Sequence, residues 1–161
     1  MKSVHRLIHA IVLALLLGYG GNLAQAEEFG TPDEAKAMLA RAVAAMQTNK
    51  DAAVAKFNHN DPAFRDRDLF VFCFNGRDGK FVAHEAFVGS DVRALVDRRG
   101  YQFGNAMFAA PSDGGIIEIA YVSPILSSTN QVSKRAYVSR VGNHVCGVSA
   151  YRFNGPGEPT Q

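Results

Sequence analysis

Apolar residues recur along this chain at two different periods, and the change falls near residue 68. Before it the spacing is three and four. Ala35, Met38, Leu39, Ala42, Val43 and Met46 form one stripe, with Lys36, Arg41 and Gln47 off it, the mark of an amphipathic helix. Thr31-Pro32-Asp33-Glu34 opens the stripe with a capping residue, a proline at the first helical position and a glutamate that completes a capping box. Asn49 is the expected end. A second, shorter helix is predicted over residues 52–57, capped by Asp51, and the run NHNDP at 58–62 then breaks the chain.

After residue 68 the period falls to two. Leu69-Phe70-Val71-Phe72-Cys73-Phe74 reads as a central strand, apolar on both faces. Phe70, Phe72 and Phe74 share one face, which reads as plain core, and Val71 and Cys73 share the other. Residues 75–79 (NGRDG) form a turn, and residues 80–84 return as the second strand of a hairpin. Asp91 caps a short helical segment at about 92–96, and residues 101–109 are helical. Three strands follow, over 116–122, 132–141 and 144–153. A polar loop at 124–130 holds Ser127, Ser128 and Thr129, and Gly142-Asn143 makes a two-residue turn. Helices first and strands last, with no βαβ rhythm, predict an α+β fold. It has one antiparallel sheet of about five strands, a long N-terminal helix and short connecting helices.

The N-terminus belongs to neither pattern. Lys2, His5 and Arg6 precede the apolar run AIVLALLL at 10–17, and small residues follow up to Ala24-Gln25-Ala26. That order is a secretory signal, expected to be cleaved after Ala26; the apolar run is too short to span a bilayer. Three regions follow: a signal peptide at 1–26, a single domain at 27–153, and a Gly- and Pro-rich tail at 154–161 that reads as disordered. Lys2 and Arg6 supply the whole formal excess of +2, so the mature chain is formally neutral. It lacks the basic field that nucleic-acid binding needs. The expected location is periplasmic or secreted, with no membrane span in the mature chain.

TPDEAKAMLARAVAAM at 31–46, DLFVFCFNGRDGKFVAHEAFVG at 68–89, DGGIIEIAYVSP at 113–124 and VSKRAYVSRVGNHVCGVSAY at 132–151 resemble, in order, the opening helix, first hairpin, third strand and closing hairpin of a single Cache domain. This is an extracytoplasmic sensor module related in fold to PAS domains. The chain departs from the family in having Glu85 where Pro commonly follows the histidine, and Val122-Ser123 before Pro124. Receptors of the family continue into a membrane helix and an output domain; this chain stops soon after its last strand. The resemblance implies a stand-alone domain that binds a small molecule and acts with a separate membrane receptor or transporter. A homodimer through the first helix is a further expectation.

The candidate ligand residues follow from strand faces and that resemblance. His84 leaves the second strand toward the helical connection and titrates near neutrality. Lys134 and Arg135, on opposite faces of one strand, each offer a cation to an anionic ligand. Tyr121 and Tyr137 add hydroxyls to apolar bodies, and Met107 and Phe108 would roof a pocket between sheet and mid-chain helices. With no Trp platform and no phosphate-cradling Gly loop, a small organic acid or similar metabolite is the expected ligand, with no cofactor.

Catalysis finds little support. There is no Gly-x-Ser-x-Gly elbow or nucleotide loop, and His84 and Glu85 are adjacent, so a strand points them apart. His144 and Cys146 share a face as a Cys–His pair; a strand cysteine beside a turn histidine is the plainer reading. Cys73 and Cys146 are either disulfide-bonded, as export permits, or two buried thiols. With His59, His84 and His144 they show no metal-ligand spacing. Two other functions compete with ligand sensing: an interaction protein that kept the fold without a working pocket, and a small exported enzyme.

Overall fold

The computed structural model describes residues 29–123 and 133–152. The signal segment, the whole polar loop at 124–130 with Ser127, Ser128 and Thr129, and the tail lie outside the described residues. The chain begins with helix α1, Pro32–Thr48. The Thr31 hydroxyl accepts from the Glu34 N–H, and the Glu34 carboxylate accepts from the Thr31 N–H at 2.8 Å, so the capping box closes reciprocally. Helix α2, Lys50–Asn58, follows at once. It starts earlier than expected, because Asn49 and not Asp51 supplies the cap, accepting from the Ala52 N–H at 3.1 Å.

Among the described residues six strands form one antiparallel sheet: β1 Arg65–Asp66, β2 Leu69–Asn75, β3 Phe81–Ala83, β4 Ile117–Val122, β5 Ser133–Val141 and β6 His144–Tyr151. The order is β1-β2-β6-β5-β4, with β3 also paired to β2. The early hairpin and the closing meander therefore join through β2 and β6. Cys73 lies directly opposite Cys146 across that junction, and the two are disulfide-bonded. β1 was not foreseen, since two residues carry no period.

Strand alternation divides the core into two layers. Leu69, Val71, Cys73, Tyr137, Cys146, Val148 and Ala150 pack against the apolar stripes of α1 and α2. Phe72, Phe74, Ala136, Val138, Val145, Ile119 and Tyr121 face the other way. That second face is covered by the chain between β3 and β4. It holds a single 3-10 turn, Val92–Ala94, capped by Asp91, and helix α3, Phe103–Phe108, both shorter than the pattern suggested. α3 sits close on the 3-10 turn because residue 104 is glycine; a Cβ there would collide with the Val92 carbonyl.

Two side chains fasten this cover to the sheet. Arg140 of β5 donates to the carbonyls of Ala110 and Phe108 at 3.0 and 3.1 Å, holding the end of α3. Asp97 is buried and accepts from the backbone N–H groups of Arg99, Tyr101 and Val122. Burial alone would raise its pKa. The three N–H donors and the Arg99 charge outweigh that and hold the carboxyl below its usual range.

Candidate functional site

Sheet and cover do not close on each other completely. Between them lies a hollow of about 400 Å³, inside the size range of small-molecule pockets. The floor is the second face of the sheet: Phe70 and Phe72 of β2, Tyr121 of β4, Lys134 of β5, and Ser149 and Tyr151 of β6. The roof is Leu95, Phe103 and Met107, and the rim carries Arg65, Asp68, Glu85 and Phe87. Each floor residue is there by strand parity, as Ser149 and Tyr151 are at alternate positions of β6.

His84 reaches the hollow by a different route. β2 and β3 pair Phe74 with Phe81 but Cys73 with Ala83, so a bulge interrupts their register. The extra residue reverses the parity of β3. Ala83 packs in the helix layer while Phe81 packs in the other. His84, next in sequence, then lies among the rings of Phe70, Phe81 and Phe87, with centroids at 5.3, 5.0 and 4.6 Å. Its Nδ1 accepts from the Ala86 N–H at 3.0 Å. Burial pushes its pKa down to about 4, against a smaller opposing pull from Glu85, so the ring is neutral at pH 7. Glu85 also lines the hollow, because the chain leaves the strand at this point and alternation no longer separates the two side chains.

The charges are unevenly committed. Arg65 donates to Asn60 at 3.0 Å and to Glu85 at 3.4 Å. The Lys134 ammonium sits over the Tyr151 ring, 4.0 Å from its centroid, and among the described residues has no carboxylate within salt-bridge distance. Burial lowers its pKa, while Asp68 and Glu85 pull it up. The Tyr121 hydroxyl donates to Ser149 Oγ at 3.2 Å, and the Tyr121 ring stacks on Phe103 at 4.2 Å, 4° from parallel. Burial drives the Tyr121 pKa up to about 12, so the hydroxyl keeps its proton.

Four of the seven candidate residues converge here: His84, Met107, Tyr121 and Lys134. Three do not. Arg135 points to the opposite face, where it pairs with Glu118 at 2.8 Å. Tyr137 shares that face, buried in the helix layer with Lys36 over its ring. Phe108 turns outward from the roof, stacking on Phe74 beneath the Arg93 guanidinium. Phe70 and Phe72, read as core, turn out to be walls, joined by Phe103 of α3, whereas Phe74 is core. The Cys–His pair is removed outright: Cys146 is held in the disulfide and has no thiolate to offer. Among the described residues no group of His, Cys, Asp and Glu side chains could hold a metal ion.

An antiparallel sheet with paired helices on one face and a roofed hollow on the other is the architecture of a Cache sensor module, and the chain has the fold of a single Cache-type domain. It is similar to the solved structure of a Cache chemosensory domain that recognises carboxylic acids, with 14% identity and a TM-score of 0.56 over 74% of this chain and 91% of the other. It is also similar to the periplasmic sensor domain of a chemotaxis protein, with 18% identity and a TM-score of 0.53 over 74% and 88%. No family model matches the sequence, and no curated protein matches it.

Proposed function

We propose that this chain is an extracytoplasmic sensor domain that binds a small organic acid without transforming it, and that Lys134 anchors the acid's carboxylate. The observation that carries the reading is a hollow of about 400 Å³ whose wall holds an ammonium with no ion-pair partner among the described residues. A cation in an apolar cavity binds an anion more strongly than one in water, and Ser149, Ser123 and the two tyrosines supply further hydroxyls. The bonded Cys73–Cys146 pair supports an oxidising compartment, as does the basic-then-apolar segment ahead of Ala26. The acid-bound domain would then report to a separate membrane receptor or transporter. Among the described residues no helix is long and apolar enough to cross a membrane.

The test is a thermal-shift screen of the purified protein and of Lys134→Met against carboxylates, amines, sugars and nucleosides. The reading requires that carboxylates raise the midpoint of the native protein and lose that effect in Lys134→Met. A midpoint raised only by another class would refute it.

A further inference from the structure

The walls of the hollow say more about the ligand than its charge. Resting on the assignment of Lys134 as anchor, we infer that the ligand is a monocarboxylic acid carrying a bulky apolar body, aryl or branched alkyl. Acids of two or three carbons and dicarboxylates are excluded by the same features.

The first observation is size. At roughly 30 Å³ for each water-sized group, a hollow of about 400 Å³ holds on the order of a dozen non-hydrogen atoms. Acetate or propanoate would leave most of it to water lying against apolar walls.

The second is the chemistry of those walls. Phe70, Phe81 and Phe87 enclose one side, around the uncharged His84. The parallel Phe103–Tyr121 pair makes a flat surface on another, with Leu95 and Met107 beside it. Aromatic walls accept a ring by stacking or edge contact, and a branched chain by simple burial.

The third is the charge of the lining other than Lys134. Arg65 and Glu85 are already paired with each other, with Asn60 also on Arg65, and the remaining lining charge besides Lys134, Asp68, is negative. A second carboxylate on the ligand would meet Asp68 and no uncommitted cation among the described lining residues. Its desolvation would go uncompensated.

The inference is tested by isothermal titration of the purified protein at pH 7 with phenylacetate, 4-methylpentanoate, acetate and succinate. It requires at least one of the two bulky acids to bind ten-fold or more tighter than acetate, with succinate silent. Acetate or succinate binding as tightly as the bulky acids would overturn the inference and leave the organic-acid reading standing. Silence of all four would overturn both. A phenylacetate signal that survives in Lys134→Met would place the ring correctly and the carboxylate wrongly, which sinks the anchor on which the inference rests.

Discussion

Phe81 and His84 share one side of the sheet, their rings 5.0 Å apart between centroids, although a regular strand would set residues three apart on opposite faces. The bulge between Cys73 and Phe74 of β2 and their partners on β3 accounts for the difference, and it converts a hairpin residue into a pocket residue. It also gives His84 a place where its proton is unwelcome.

That environment sets an acid limit on stability. The folded-state pKa of His84 is near 4 against 6.5 for the free side chain. The unfolded chain therefore binds more protons between those values. Stability from this group is full above pH 6.5 and is lost as the pH falls toward 4. His144, lowered by burial and the nearby Lys50 charge, acts in the same direction. The melting temperature should fall on acidification through this window, and His84→Phe should flatten the fall while leaving the part due to His144. A profile for His84→Phe identical to the native one would contradict the placement.

The disulfide is expected to be a large stabiliser. It joins residues 73 positions apart, and closing a loop of that size is worth about 4 kcal/mol. The double variant Cys73→Ala, Cys146→Ala should lower the unfolding free energy by about that amount in denaturant titrations. Reductant should shift the native protein and leave the double variant unmoved.

Gly147 controls the floor of the hollow. A Cβ at this position would press on the Phe72 ring and on Val138 Cγ1. Gly147→Ala should cost about 1–3 kcal/mol by overpacking. The Phe72 ring would be pushed toward the hollow, so ligand affinity should fall along with stability. Unchanged affinity in a folded Gly147→Ala protein would mean that Phe72 is not part of the wall.

Asp97 ties the pocket's cover to the end of β4. Asp97→Ala leaves the N–H groups of Arg99, Tyr101 and Val122 without their acceptor, each costing about 1–3 kcal/mol where water cannot replace it. The expected loss is about 3 kcal/mol or more, and hydrogen exchange should quicken at Tyr101 and Val122 before it does in β5 or β6. Uniform quickening across the sheet would contradict a local fastening.

Much of this fold was legible because several local signals agree. The Thr31–Glu34 box fixes the start of α1, and the two layers follow from the alternation of Phe70, Val71, Phe72 and Cys73. The site was legible in part, for identifiable reasons. Parity placed Lys134 and Arg135 on opposite faces, but only the position of α1 decides which face is left open, so Arg135 and Tyr137 were indistinguishable from Lys134 beforehand. Phe72 and Phe74 share a face; that one is wall and the other core depends on where α3 stops covering the sheet. The bulge left no mark in residues 80–84, so that strand could point to His84 but not to its neighbours. The rim residues Arg65 and Asp68 belong to a loop and a two-residue strand with no period at all.

The central claim is an occupied hollow with a carboxylate on Lys134. The most direct measurement is a crystal structure of the protein purified from its own host and never exposed to added ligand. The expected density is a small acid between Phe103, Phe81 and His84, its carboxylate within hydrogen-bond distance of Lys134 Nζ. A hollow closed by the inward collapse of Phe70, Phe87 and Met107 would contradict the account, as would a bound molecule that leaves Lys134 untouched.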